Sequence, residues 1–413
     1  MFQRLRHIRQ NGVLNLVFHG AEHSRFAHVM GVAWIAGRIF DAAFRNTALT
    51  TYSELESDRE DTILAALLHD IGHGPFSHTL EDILRSLSVN FDHEKMTERI
   101  LVEPESEIAR VLGPRGRKLV PFIDKTKREP NRWFYSIVSS ALDADRLDYL
   151  LRDSTMAGVW TNRFDLGRLI DAMGIKDDEI VIDARARDVV ESYLLAMEQM
   201  YASVYYHHTN RAASFLLRSV IARAVDVSRA DAAAKDMLFP QRGGADDPLW
   251  QIVEKGQTVP LPVYEMLDEH HVWSLISLWT TAQDKTLAEL SNALKQRTLP
   301  KAVVFRKKTG LPPRAFAKLE AKAKDYLKEA WPDADPKYYI GSDKPERKAY
   351  AGGTHEEGYA GSIKLIYPND RTIPIEETDR TIASVLKDKA AYPSLIIPDV
   401  IRDRVQQDFE AMQ

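Results

Sequence analysis

Between Leu67 and His78 the chain reads LLHDIGHGPFSH, and no other segment constrains the fold as much. An apolar helical stripe of Ile63, Leu64, Leu67 and Leu68 runs straight into His69 and Asp70, with His73 and His78 close behind. Ionisable side chains packed this densely beside an apolar face are costly in a core unless a metal ion or an anion satisfies them. Gly72 and Gly74 read as helix stops. Neighbours on a helix point about 100° apart, so His69 and Asp70 reach one ion together only where a helix end tilts into a pocket. His73 falls one turn after His69 on the same face. His93 follows in the word Phe91-Asp92-His93-Glu94.

Two more segments carry matching chemistry. Upstream, His28 begins an amphipathic helix with Val32, Ile35 and Ile39 on one face, while His23 lies in the loop before it. Arg25 is close enough in sequence to reach a phosphate. Downstream, Asp145, Tyr149 and Asp153 recur at i, i+4 and i+8 on an otherwise leucine-rich helix. A solvated face with Asp–Arg pairs is the plain reading of that pattern. A Tyr between two Asp is nevertheless a poor solvent face and a good pocket wall. A single His is most often a surface or satisfied residue; the whole set is hard to obtain by composition alone.

The fold class is mainly α, a helical domain over residues 1–235 with a smaller α+β region over 236–413. Tyr193 to Val227 reads as one long helix with Met197, Met200, Val204, Ala212, Phe215 and Leu216 inward. Glu179–Asp183 reads as a strand after the turn Lys176-Asp177-Asp178. Gln241–Pro248 is a Gly/Asp/Pro linker, after which helices resume near Val263, Val272 and Thr286. Strands are expected at Lys301–Phe305, Lys337–Ile340, Ser362–Tyr367, Thr372–Ile375 and Ser394–Ile397. The 413 residues contain no cysteine, which excludes disulfides, thiolate metal sites and cysteine nucleophiles, so any transition metal must use His and carboxylates. Net charge is -5, so no global basic field recruits nucleic acid or an anionic membrane. The basic stretches Arg115–Lys118 and Lys125–Arg132 leave nucleic-acid binding open but read better as solvated loops. No apolar run approaches a membrane span. The basic start MFQRLRHIRQ lacks an apolar h-region, so a cytoplasmic location is the default.

The order His28 … His69-Asp70 … Asp145 resembles the HD superfamily signature. The words FQRLRHIRQ, HSRFAHVMGVAWIAG, HDIGHGPFSH, DHE and DADRLDYLLRD are similar to its dNTP triphosphohydrolase branch, over roughly residues 2–225 and more weakly through Val263–Phe305. The resemblance implies a divalent ion (Fe, Mn, Ni, Zn or Mg) on His28, His69, Asp70 and Asp145. It implies His73 beside the α-phosphate, and His93 as a general acid or its partner with Glu94 or Glu81 as orienting carboxylate. It implies Arg25 and Arg146 on phosphates, Tyr149 against the sugar, Asp153 on the 3′-OH and Gln10 near the sugar or base. His78 joins the substrate-binding set, and Tyr205 and His208 line the far side. The implied reaction releases deoxynucleoside and tripolyphosphate from a dNTP. An ion held by His and Asp lowers the pKa of bound water and polarises a phosphoryl oxygen. A homo-oligomer is also implied.

Some positions depart from that branch. Arg146 stands where Lys is frequent, a planar fork in place of a point charge. His19 replaces a common Pro, and Met197 stands about where a vertebrate member has an Arg. Family members usually carry a segment before FQRLR that often helps to build an allosteric nucleotide site. Here that word starts at residue 2, which leaves a different start codon, a trimmed chain or a lack of that regulation as readings. The alternatives in function are another HD phosphatase or phosphodiesterase of nucleotides, and a non-catalytic nucleotide- or nucleic-acid-binding module.

Overall fold

The computed structural model describes residues 1–47, 52–130, 132–160, 163–241, 246–305, 313–347, 362–378, 382, 390–391 and 393–412. The architecture is mainly helical. Helix α1 (Arg25–Asn46) buries Val29, Val32, Ile35, Ala36, Ile39 and Phe40, the face its 3.6-residue periodicity predicts. It packs against α2 (Tyr52–Leu68) and against the helix Ala144–Met156, which Asp143 caps by accepting from the Arg146 N–H. Helices α3 (His78–Ser86) and α4 (His93–Val102) follow the histidine-rich turn. One continuous core takes in residues from Met1 to Leu294 and also Tyr338, Ile363, Leu365 and Ile375. Helices resume at Pro248–Lys255 and continue at Leu261–Glu265, Glu269–Trp279 and Lys285–Lys295, all adding apolar side chains to this core. The centre of the expected linker, residues 242–245, lies outside the described residues.

The expected helix Tyr193–Val227 is interrupted. Helix Arg187–Met200 passes into a π-helical turn at Tyr201–Tyr205, and a new helix runs from His208 to Ala230. The run Tyr201-Ala202-Ser203-Val204-Tyr205-Tyr206 is poor in strong helix formers. The Tyr206 N–H donates to the Tyr201 carbonyl five residues back, and the His207 side chain caps the next helix at Thr209.

Strand β2 (Glu179–Asp183) stands where a strand was expected; β1 (Met173–Lys176), which was not expected, pairs with it in a hairpin turning through Asp177 and Asp178 at φ 50° and 58°. Strands β3 (Lys301–Val304), β4 (Gly341–Asp343), β5 (Glu346–Arg347), β6 (Lys364–Ile366), β7 (Thr372–Pro374), β8 (Ala390–Ala391) and β9 (Ser394–Ile397) complete the set. β6 pairs parallel with β2 and carries β7, so late strands extend the early hairpin into a sheet of order β1-β2-β6-β7. A second sheet has order β3-β9-β4, and β5 pairs with β8. Helices Pro313–Ala330 and Arg402–Glu410 share a separate small core with β3 and β9.

The expected strand Lys337–Ile340 is instead a short helix, Pro336–Tyr339. Pro336 sits at its first turn and Asp335 caps the Lys337 N–H, while Tyr338 is buried with its hydroxyl 2.6 Å from Asp226 Oδ2. The strand begins one element later, at Gly341. There β4 presses on the His208–Ala230 helix, where Ala212, Phe215 and Ile396 form a small cluster of their own. A Cβ on Gly341 would stand 2.4 Å from Phe215 Cε2. Gly341→Ala therefore forces the contact apart, at a cost of about 1–3 kcal/mol. A urea titration should show a lower midpoint at unchanged slope; an unmoved midpoint would contradict the close packing of β4 on this helix.

Candidate active site

Helix α1 carries His28 into the core at 0% exposure. Its Nδ1 lies 2.8 Å from Asp148 Oδ2, and Arg152 holds Asp148 at 2.8 Å through each of two nitrogens. When the imidazole is neutral, that contact keeps the proton on Nδ1 and turns the Nε2 lone pair inward. The Ala66 carbonyl does the same for His69, at 2.7 Å from Nδ1. Neither Nε2 atom has a hydrogen-bond partner among the described residues, though both are buried. Asp145 Oδ1 stands 3.0 Å from His28 Nε2 and 3.6 Å from His69 Nε2. Asp70 Oδ2 and Oδ1 stand 3.6 and 3.4 Å from the same two atoms. Two imidazoles and two carboxylates thus converge from three segments of chain. Of these, His28, His69 and Asp145 offer donor atoms within 4.8 Å of one another, and the orphaned nitrogens with a carboxylate oxygen fit one divalent ion, with Asp70 beside them.

The electrostatics agree with that fit. Burial alone would lower His28, yet Asp145, Asp148 and Asp70 raise it to about 10. Burial likewise opposes charge on His69, and Asp70 and Asp145 raise it all the same. Positive charge is therefore favoured in this pocket whatever carries it, and a cation would compete with protons for the same atoms.

The local backbone differs from the sequence reading. Helix α2 ends at Leu68, so His69, Asp70 and His73 lie on the turns beyond it, not on one helical face. Gly72 has a different task from stopping the helix. A Cβ there would lie 2.3 Å from the His93 carbonyl oxygen and 2.4 Å from the Thr97 nitrogen. Its absence lets α4 close on the turn, with Thr97 Oγ1 3.0 Å from the Gly72 nitrogen and 3.1 Å from the His69 carbonyl oxygen. The N-terminal segment supports the same turn. Buried Arg4 donates to the carbonyls of His73 and Leu267 at 2.8 and 2.7 Å and lies over the Tyr264 ring, whose hydroxyl donates to the Gly72 carbonyl at 2.7 Å. Phe76 and Ser77 then turn at φ 61° and 56°, a conformation costly for non-glycine residues and found where surrounding structure enforces it.

A cavity of roughly 630 Å³ opens onto the metal set. On one side His73 stacks on His93, ring centroids 3.9 Å apart, and His78 meets both edge-on from a more exposed position. His93 Nδ1 lies 2.6 Å from Glu81 Oε1. Glu81, not Glu94, is therefore the carboxylate that orients His93; Glu94 lines the cavity and burial raises it. His73, His78, Glu81 and His93 form a second group whose donor atoms lie within 4.8 Å of one another. Arg25 donates to Asp70 and to Ser77 Oγ at 2.9 Å, and Arg146 to the Ser140 carbonyl at 3.1 Å. Both line the cavity, as does Lys125.

The opposite wall holds Tyr149, Asp153 and Tyr205, with the two tyrosine rings edge-to-face at 6.2 Å. Gln10 lines the cavity with a buried Oε1 that lacks a partner among the described residues. His208 is the exception among the expected catalytic and substrate-binding residues: it stacks on His207 at 4.4 Å and is absent from the cavity lining. The π turn redirects the chain there, so Asn210 and Arg211 line the cavity instead. The sequence reading missed those two, Tyr201, and the partnership of His23 with Asp153. No local pattern marks the last, because His23 and Asp153 are 130 positions apart. The basic stretches are largely engaged. Arg115 pairs with Asp61 and Glu60, Lys127 with Glu98, and Arg132 with Asp58, while Arg128 donates to four backbone carbonyls.

The HD domain family matches residues 25–120, and a region described as HD-associated matches residues 164–238. YwfO, an uncharacterized protein of Bacillus subtilis, is 34% identical over 97% of this chain and 87% of its own length. The deoxynucleoside triphosphate triphosphohydrolase SAMHD1 of Homo sapiens is 29% identical over 54% of this chain, and its Dictyostelium discoideum homolog 32% over 54%. The chain spans only 41% and 44% of those two proteins. A phosphohydrolase crystal structure from Bacteroides thetaiotaomicron superposes with a TM-score of 0.78 at 25% identity, over 96% of this chain and 93% of that one.

The His93–Glu81 pair has a readable consequence. Burial lowers His93, but the contact with Glu81 more than offsets it and the imidazole is raised above 6.5. A raised imidazole contributes stability that is present below the unfolded value of about 6.5 and is lost as pH rises through the folded one. In metal-free protein, NMR titration of the His93 ring should show a lower midpoint in Glu81→Gln. The substitution should also cost more stability at pH 6 than at pH 9. A midpoint that stays put would remove Glu81 as the orienting group.

Proposed function

We propose, from the premise that this chain belongs to the HD superfamily and is an HD-domain phosphohydrolase, that its substrate is a dNTP cleaved at the α-phosphate. The observation that carries the reading is the face Asp145, Tyr149 and Asp153. One helix turn separates a ligand of the metal set from an aromatic side chain, and a second turn brings a buried carboxylate. Phosphate chemistry and a sugar-sized wall are thereby joined on one element. The likeness to the SAMHD1 triphosphohydrolases supports the same substrate class.

His28, His69, Asp70 and Asp145 would hold the ion, which when bound acidifies water and polarises a phosphoryl oxygen. The side chains divide the remaining work. Arg25, Arg146 and Lys125 face the triphosphate and offset its charge. Water adds to the α-phosphorus as the bond to O5′ breaks, and O5′ must gain a proton. His93, oriented by Glu81 and stacked on His73, is the group poised to supply it. Tyr149 and Tyr205 border the sugar, where the Tyr149 ring disfavours a 2′-OH. Gln10 brings to the same end an amide oxygen that lacks a partner among the described residues. The homo-oligomer belongs to this reading and rests on the family resemblance; the cytoplasmic location rests on the basic start without an apolar h-region. No helix among the described residues is long and apolar enough to cross a membrane.

One observation favours a second reading. The His73, His78, Glu81 and His93 group could hold another ion, as in two-metal phosphodiesterases. A substrate panel separates the two. Protein loaded with Mn²⁺, Mg²⁺, Co²⁺ or Fe²⁺ should release tripolyphosphate from dNTPs and leave cyclic nucleotides intact; the reverse pattern would replace the first reading with the second. Asp145→Ala should abolish bound metal in elemental analysis and lower turnover at least about 100-fold, because even outer-shell changes cost metal sites 10–100-fold. Turnover at the wild-type rate would exclude Asp145 from the metal set.

A further inference from the structure

Asp153 is 1% exposed, yet it lines the cavity. A carboxylate so deeply buried needs its oxygens satisfied, and each has one partner among the described residues. Tyr205 donates its hydroxyl to Oδ2 at 2.7 Å. His23 Nε2 lies 2.6 Å from Oδ1, with both side chains almost fully buried. His23 Nδ1 is buried without a hydrogen-bond partner among the described residues. With a proton on Nε2, His23 donates to Asp153.

A carboxylate oxygen accepts about two hydrogen bonds. One site on each Asp153 oxygen is therefore still open, and the carboxylate plane decides where those sites point. A single partner leaves that plane soft, because the terminal torsion of Asp is broad. Two partners on opposite oxygens fix it. Tyr205 stands on the π turn and His23 on the loop before α1, so two unrelated segments clamp one group. The His23 carbonyl also accepts from the Gln10 N–H at 3.1 Å, and a lone bridge joins Arg9 to Ser24 beside it. The loop that aims Asp153 thus also sets the backbone of Gln10, another polar residue of the cavity lining.

We infer that His23 is a positioning residue that holds Asp153 so that its free lone pairs read the 3′-hydroxyl of the sugar. The inference rests on the deoxynucleotide reading of the cavity. It assigns no bond-breaking step to His23. Its ring touches Asp153 and is absent from the cavity lining.

The test compares sugars that differ at one atom. His23→Leu removes the donor and keeps apolar bulk; His23→Gln puts an amide N–H about where Nε2–H stood. If the leucine protein does not fold, His23→Asn, too short to reach Asp153, takes its place. For each protein, kcat and KM are measured with a dNTP and its 2′,3′-dideoxy analogue. Calorimetry then gives Kd for 2′-deoxyadenosine and 2′,3′-dideoxyadenosine. Wild type should prefer the 3′-hydroxyl about tenfold or more, the range of a hydrogen bond to a charged group. His23→Leu should erase that preference by weakening only the deoxy compounds, and His23→Gln should restore much of it. An equal loss on both sugars would make His23 a packing residue and overturn the inference. So would a preference that survives in His23→Leu, or a wild type that binds neither nucleoside. Wild type that cleaves no dNTP yet prefers deoxyadenosine, with the preference gone in His23→Leu, would defeat the hydrolase reading and leave this one standing. Turnover with a sugar preference indifferent to His23 would do the opposite.

Discussion

Two buried carboxylates, Asp70 and Asp145, approach the same pair of imidazole nitrogens, and much of the architecture around the site follows from keeping them there. Like charges in a low-dielectric interior repel strongly unless cations or hydrogen-bond donors stand between them. Arg25 and the His28 and His69 rings fill that role in this structure. Each of these is held from behind. Asp148 and Arg152 hold His28, Ala66 holds His69, and Ser77 shares Arg25. The outer groups reach back into α1, the Ala144–Met156 helix and the strained Phe76-Ser77 turn, so the charges at the centre set demands on elements well away from them.

The parts legible in the sequence were those with local signatures. Apolar periodicity marked α1, and a leucine-rich face marked the Ala144–Met156 helix. The resemblance to the HD signature picked out His28, His69, Asp70 and Asp145 with no knowledge of the turns between them. What stayed illegible depended on contacts between distant segments. Nothing in Arg4 announces that it will bind the His73 carbonyl, since backbone acceptors leave no trace in composition. The π turn was hidden because a tyrosine-rich run fits a helix by periodicity and is a poor helix only by propensity; a one-residue widening moved His208 out and Arg211 in. His23 and Asp153 are far apart in sequence and share no pattern. Glu81 and Glu94 looked equivalent as partners of His93 until the direction of α3 settled it.

The later part of the chain was read correctly as richer in strands, but its pairing was not readable. Strand propensity tells nothing about which edge a strand will choose. β6 chose the outer edge of an early hairpin. The segment Lys337–Ile340, aromatic and β-branched, formed a helical turn because Pro336 and the Asp335 cap outweigh a weak β preference. Tyr338 was then spent on Asp226, and the strand began at Gly341, where lack of a side chain allows β4 to lie against Phe215.

The parallel pairing of β2 with β6 also bears on the order in which this chain can assemble. Val181 meets Lys364, so the contact closes a very long loop, and closure of that kind slows folding more than it lowers stability. During synthesis the hairpin emerges well before its neighbour. For that interval the β2 edge presents unpaired backbone groups able to pair with any other extended strand. The metal-set residues all precede residue 150, so the chemistry can be gathered early while the sheet edge waits for Lys364 and its neighbours to be made. Protection of that edge, more than formation of the site, is the step in which a nascent copy is most exposed to pairing with another.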